Sequence, residues 1–372
     1  MKAIGIILAG GNNNRMKELT AKRAVPALPV AGSFRSIDFA LSSMSNSHIQ
    51  TVAVLTQYNA RSLNEHLSSS KWWNFGRKQG GLFLFTPTVT ADNSDWYRGT
   101  ADAMYQNIDF LKRRHEPYVI ISSGDCVYKL DFNRVLDFHI EKKSDITVVC
   151  KDMMYNDDVS RFGVVRMDEE SRITEFDEKP IEALSNTIST GIYVIRRRQL
   201  IELLEAAAEE NRFDFVNDIL VRYKNVKKIY GYKINSYWNN IADIDAYFKT
   251  NMDFLRPDVR SYFFREEPTI CSKVDDLPPA KFNPGSDISN SLVSSGCIIN
   301  GSVEDSVLFK QVFVGKNTTV KNCVLLNDVY IGDNVHLENC IVESRGTINP
   351  NTCYCGEDGV MIVKEKNVRY VI

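Results

Sequence analysis

Residues 6–15 read Ile-Ile-Leu-Ala-Gly-Gly-Asn-Asn-Asn-Arg. An apolar strand ends at Leu8 and Ala9, a glycine pair follows, and an arginine closes the polar loop. This order suits a phosphate-binding turn. Gly10 and Gly11 let the backbone pass close to a ligand and aim N–H groups at anionic oxygens. Arg15 adds a planar cationic fork for a phosphate. A loop that wraps a triphosphate usually carries more glycine, and Asn12, Asn13 and Asn14 stand in its place. The residues therefore predict a nucleotide-handling protein whose nucleotide loop is altered.

The elements that must position this loop follow from periodicity. Through about residue 255, short β-rich runs alternate with amphipathic helical stretches, which predicts an α/β domain with a mostly parallel, Rossmann-like sheet. Strands are expected over residues 3–8, 51–55, 118–122 and 146–150, and helices over 100–114, 132–142 and 198–210. In such sheets ligands bind beyond the carboxyl ends of the strands, where the loops after Leu8 and Ser122 both lie. Five prolines between residues 256 and 285 predict a linker without regular elements. From 286 to 372 the pattern repeats: Val312-Phe-Val-Gly315 recurs as Val329-Tyr-Ile-Gly332, and Asn322-Cys323-Val324 as Asn339-Cys340-Ile341. This hexapeptide periodicity predicts a left-handed parallel β-helix of about four coils, which must lean on neighbours or on the first domain. Cys323 and Cys340 are expected to stack inward as apolar residues. His336 is expected to face outward.

Composition excludes several classes. A chain of 372 residues holds two cores, and 44% apolar with 25% charged residues is ordinary for a globular protein. A net charge of −2 offers no general attraction for nucleic acid or an anionic membrane. No apolar run approaches the length of a membrane span, and the strand beginning near Met1 leaves no room for a signal peptide. The eight cysteines do not read as a disulfide scaffold, and Cys353 and Cys355 are too close in sequence for paired zinc-ligand spacing. The expected location is a reducing cytoplasm.

Ordered along the chain are Leu8-Ala-Gly-Gly11, Arg35-Ser-Ile-Asp-Phe-Ala-Leu-Ser42, Thr56-Gln-Tyr58, Trp96-Tyr-Arg-Gly-Thr-Ala-Asp-Ala103 and Gly124-Asp125. Then come Phe162-Gly163, Glu175-Phe-Asp-Glu-Lys-Pro180, Ser189-Thr-Gly-Ile-Tyr193 and Leu277-Pro-Pro-Ala-Lys-Phe282. With the hexapeptide tail, this set resembles the glucose-1-phosphate adenylyltransferases of bacterial glycogen biosynthesis over nearly the whole length. The resemblance implies a reaction of ATP with α-D-glucose 1-phosphate to give ADP-glucose and diphosphate. The sugar-phosphate oxygen attacks the α-phosphorus in line, which requires positive charge over the triphosphate, Mg²⁺, and a firm grip on the sugar phosphate. By resemblance, Leu8, Ala9, Gly10, Gly11 and Gln57 hold the nucleotide, and Asp125 is one carboxylate ligand of Mg²⁺. Arg15 faces the phosphates. Tyr97, Gly163, Glu178, Lys179 and Ser189 hold glucose 1-phosphate. Lys179 supplies charge for a phosphate and Glu178 accepts from sugar hydroxyls. Taken alone, Glu178-Lys179-Pro180 would be an exposed charged turn.

Three departures fall on the nucleotide half. The family's second metal carboxylate lies in a Trp-Arg-Asp segment, which here reads Trp238-Asn239-Asn240, so Asn240 offers a neutral oxygen. The family's lysine in Arg-Ala-Lys-Pro is Val25 in Arg23-Ala24-Val25-Pro26. Asparagines occupy the loop. The resemblance therefore implies the regulatory, non-catalytic type of subunit, with weak or absent Mg²⁺. It would modulate a catalytic subunit of the same family in a heterotetramer. Lys22 and Arg35 match positions that bind anionic effectors in some relatives, and equally read as plain basic residues. Three other readings stand beside this one, among them a purely structural β-helix scaffold, which leaves the sugar-phosphate set unexplained. An enzyme active alone would show metal-dependent turnover, and a β-helix acyltransferase would need more coils and a catalytic histidine.

Overall fold

The computed structural model describes residues 2–11, 14–76, 80–88, 96–154 and 157–366. Nine strands build the main sheet. They are β1 (Ala3–Ala9), β2 (Thr51–Thr56), β3 (Gly81–Phe85), β4 (Tyr118–Ser123), β5 (Ile146–Asp152), β6 (Gly163–Met167), β7 (Ile173–Glu178), β8 (Thr187–Arg196) and β9 (Ile229–Lys233). β1 is central and pairs in parallel with β2 and β4. β8 then runs antiparallel to β4 and β5. The two faces of β1 divide by strand alternation: Ala3 and Ile7 enter one core, Ile4 and Ile6 the other. Helices Ser36–Asn46 and Phe132–Glu141 cover the first face, and Thr100–Tyr105 and Arg197–Glu209 the second. Because both faces are covered, the inner strands are continuous apolar runs.

The helix expected over 100–114 is two helices, Thr100–Tyr105 and Ile108–Lys112. At the break Asn107 Nδ2 donates to the Tyr97 hydroxyl at 2.9 Å and to the Ala103 carbonyl at 2.9 Å. The expected linker also differs. Pro257–Phe264 is an α-helix with the proline at its first turn, where a missing N–H costs nothing, and Val259 and Phe263 are buried. Lys281–Phe282 already forms the first β-helix strand, pairing with Ile298–Ile299.

The tail is a left-handed parallel β-helix of three five-stranded sheets, so five coils stack rather than four. Polar residues at the corners adopt the left-handed region at Asn317, Asn334 and Asn351, with φ of 54°, 57° and 61°. Asparagine tolerates that conformation best among non-glycine residues. Their side chains form a ladder, Asn317 to Asn334 at 3.3 Å and Asn334 to Asn351 at 3.0 Å. Cys323 and Cys340 lie fully buried in the β-helix core. The β-helix leans on the first domain as expected: Val25, Phe254 and Val259 share one apolar cluster with Val307, Phe309, Val324 and Ile341. Among the described residues no helix is long and apolar enough to cross a membrane.

Candidate active site

The end of β1 opens a cavity of about 490 Å³. Leu8, Ala9, Gly10 and Gly11 line it with Val25, Gln57, Tyr58, Tyr97, Gly99 and Asp125. The two glycines serve different ends. A Cβ on Gly10 would meet the Gln57 Cβ at 3.2 Å and its backbone nitrogen at 3.3 Å, whereas one on Gly11 would enter open space. Gly10 is thus closely packed against Gln57, and Gly11 keeps the approach clear. Asn12 and Asn13 lie outside the described residues. Asn14 and Arg15 begin a short 3-10 helix, Asn14–Thr20, with Arg15 exposed. The Gln57 amide clamps the facing wall, accepting from Tyr97 N at 2.7 Å and donating to Tyr97 O at 3.3 Å. Its polar atoms are therefore engaged in shaping the cavity.

Asp125 follows β4 through Gly124, which packs against Pro26 and Ile7 with a virtual Cβ only 3.1 and 3.2 Å from their side chains. The short strands Cys126–Tyr128 and Trp238–Asn240 pair antiparallel and set Asn240 opposite Cys126. Asn240 therefore sits beside Asp125, where a second carboxylate would complete a cation site. Asp125 Oδ1 accepts from Ser123 Oγ at 2.5 Å, and Asn240 Oδ1 accepts from Ala242 N at 3.0 Å. A divalent hard cation is held through one or two carboxylates. Asp125 is thus one charged ligand where the resemblance implies two, and the Asn240 amide oxygen beside it is neutral and already accepts from the backbone. Val25 is buried in the interdomain cluster and presents only methyl groups to the cavity.

The sequence gives no warning of Arg161. Its guanidinium pairs with Asp243, with the two side chains 20% and 25% exposed. Burial lowers the Arg161 pKa, and Arg15 adds to this, while Asp158 and Asp125 oppose it. A cation thus stands in the electrostatic reach of Asp125, one residue before the Phe162-Gly163 motif.

The residues expected to hold the sugar phosphate gather on neighbouring strands. Gly163 pairs with Glu178 across β6 and β7, and Ile188 pairs with Val164, which brings Ser189 alongside. A Cβ on Gly163 would lie 2.9 Å from Glu178 Oε2 and 2.8 Å from the Phe176 ring. Burial raises the Glu178 pKa, and the Lys179 ammonium at 3.1 Å partly offsets this. Ser189 Oγ donates to the Tyr193 hydroxyl at 3.3 Å. The segment Phe213-Asp214 joins the two groups. The Phe213 carbonyl abuts Gly99 of the cavity wall, and Asp214 acts on Glu178. Tyr97, expected with the sugar phosphate, lines the first cavity, where Gln57 and Asn107 orient it.

Arg35 lines a second cavity of about 290 Å³ between the domains, with His66, Lys273 and Lys310. Its guanidinium donates to the Ser62 carbonyl at 2.8 Å and hydroxyl at 3.0 Å. Lys22 is exposed and is not part of that lining.

A doubly wound sheet, a glycine turn closing its first strand and an appended β-helix together define the nucleotidyltransferase class. Residues 4–256 match the family model described as Nucleotidyl transferase, and residues 278–362 the one described as GlmU-like, C-terminal hexapeptide. The glucose-1-phosphate adenylyltransferase of Clostridium acetobutylicum is 40% identical over 318 residues, covering 85% of this chain and 83% of that protein. Proteins of the same name from Geobacillus stearothermophilus and Bacillus subtilis are each 36% identical, over 85% and 86% of this chain and 82% and 84% of their own. The chain belongs to the glucose-1-phosphate adenylyltransferase family.

Proposed function

We propose that this chain is a regulatory, catalytically weak or inactive subunit of a glucose-1-phosphate adenylyltransferase, and that it modulates a catalytic subunit within a heterotetramer. The reaction served is ATP plus α-D-glucose 1-phosphate to ADP-glucose and diphosphate. The observation that carries the reading is the pairing of Asn240 with Cys126 beside Asp125. One negative charge remains where phosphoryl transfer needs a tightly held cation. The Val25 methyl groups on the cavity wall support the same reading, since they supply no charge to the transition state. The cluster of Gly163, Glu178, Lys179 and Ser189 supports retained sugar-phosphate binding. The chain's own residues therefore bind and orient, and Mg²⁺ is held weakly or not at all.

The test is diphosphate release from ATP and glucose 1-phosphate with Mg²⁺, by this chain alone and then mixed with a catalytic subunit. The expected result is negligible release alone and an altered rate or substrate affinity in the mixture. Vigorous release by the isolated chain would establish an enzyme in its own right and sink the regulatory reading.

A further inference from the structure

A cluster of metal-binding side chains lies on the outer face of the β-helix, remote in sequence from every residue of the first cavity. In the second of its three sheets, His336–Glu338 and Cys353–Cys355 are adjacent parallel strands, with His336 opposite Cys353 and Glu338 opposite Cys355. Leu337 and Tyr354, the middle residues, point into the core. The four flanking side chains must then share the outer face, because strand alternation sends neighbours to opposite sides. Ligand atoms of His336, Glu338 and Cys355 lie within 4.8 Å of one another. His336 Nε2 is 3.7 Å from Glu338 Oε2, and the two sulfurs are 3.6 Å apart.

These separations have a chemical meaning. Tetrahedral Zn²⁺ binds thiolate at about 2.3 Å and imidazole or carboxylate at about 2.0–2.2 Å, which sets ligand atoms roughly 3.3–3.8 Å apart. The sulfur pair and the nitrogen–oxygen pair both fall in that range. A disulfide requires sulfurs about 2.05 Å apart, so the two thiols are in contact and not bonded, and their separation is one that two ligands of a single ion can share. Two thiolates with an imidazole select a soft or borderline ion over Mg²⁺ or Ca²⁺.

The geometry points to a Zn²⁺ site formed by His336, Glu338 and Cys355 across the last two coils of the β-helix, with Cys353, whose sulfur lies 3.6 Å from that of Cys355 but outside that three-residue group, joining as fourth ligand by a change of rotamer. Among the described residues, Cys353–Cys355 is the terminal strand of its sheet and has a neighbour on one side only. The ion pins this last strand onto the preceding coil, at the end of a solenoid where stacking alone holds least. Sequence spacing hides the site, because its two halves are 17 residues apart and meet only through the coil repeat.

The experiment uses the reduced, metal-free, full-length protein titrated with Co²⁺ and then Zn²⁺. One equivalent of Co²⁺ is expected to give thiolate charge-transfer absorption and visible bands of tetrahedral intensity, both removed by Zn²⁺. The double variant Cys353→Ser with Cys355→Ser is expected to lose both features. Its Zn²⁺ affinity should fall by more than the roughly 10–100-fold typical of changes outside the ligand set. Cys271→Ser, at an exposed thiol elsewhere, is expected to bind as the parent does. His336→Ala should weaken binding while leaving the thiolate absorption in place. Absence of the absorption in the parent, or identical titrations for parent and double variant, would overturn the site.

Discussion

At the residue scale the decisive positions are 25 and 240. Val25 and Asn240 both reach the space around Asp125, one through the cavity wall and one through the strand pair. Val25→Lys with Asn240→Asp restores a cation and a carboxylate without breaking the backbone contact, since an aspartate oxygen can still accept from Ala242 N. The expected outcome is turnover raised by about 10²-fold or more in a Mg²⁺-dependent diphosphate-release assay, because a single electrostatic donor typically carries on the order of 10²–10³ in rate. No gain would place the dominant defect elsewhere in the loop. Gly163 gives a second prediction. A Cβ there collides with Glu178 and the Phe176 ring, so Gly163→Ala should displace Glu178 and weaken glucose 1-phosphate binding at least tenfold by calorimetry. Unchanged affinity would remove Glu178 from the pocket. The glycine turn, Asp125 and Glu178 were legible because each sits in a short motif. Arg161 was not, because its pairing with Asp243 spans 82 residues of sequence and depends on the fold.

At the element scale, His139 ties helix Phe132–Glu141 to β5. Its Nδ1 lies 2.8 Å from Thr147 Oγ1, its Nε2 is buried with no partner among the described residues, and its pKa falls to about 4, first through burial and then through Arg196. The native state therefore refuses a proton that the unfolded chain accepts below the ordinary histidine value of about 6.5. Unfolded chains then bind more protons than native ones, so stability rises with pH across this window. Stability is expected to fall by roughly 3 kcal/mol as pH drops from about 6.5 to about 4. His139→Leu should flatten that part of the curve, as read from urea midpoints at several pH values. An unchanged slope would assign the acid sensitivity to other groups. Elements of this domain were legible where apolar runs were continuous, as in β1 and β5. The break at Gln106-Asn107 was not, since the side-chain contact with the Tyr97 hydroxyl found there leaves no mark on the periodicity. Helix Pro257–Phe264 was hidden by reading its proline as a breaker when it stands at a position that favours proline.

At the scale of the whole molecule, the contact between domains combines apolar and ionic parts. Arg23 Nη2 meets Glu343 Oε1 at 2.5 Å, with side chains 19% and 9% exposed, and Arg23 Nη1 donates to Ser344 Oγ at 3.2 Å. Removing one partner of a fully buried pair costs about 3–5 kcal/mol because a charge is left stranded. Partial exposure lowers the expectation for Arg23→Ala to about 2 kcal/mol, measured by urea unfolding. A Glu343→Gln change made together with it should recover part of that loss. If the single variant unfolds as the parent does, the pair contributes nothing to holding the domains together. The β-helix itself was legible from its 17-residue repeat, but its fifth coil was not. That coil begins at Lys281–Phe282, before the repeat becomes regular.

The apolar cluster that joins the domains also contains Val25, a residue of the cavity wall. A boundary that passes through a binding wall cannot be cut cleanly. Proteolysis or truncation between residues 265 and 280 would leave the first fragment with Phe254, Val259 and Val25 facing water, and the second with a bare stripe of Val307, Phe309, Val324 and Ile341. Neither fragment is expected to persist as a soluble folded body, and heating the intact chain should give one cooperative transition in place of two. In evolutionary terms the two modules are coupled through Val25, because a change on the β-helix side that shifts this residue also reshapes the cavity wall on the other.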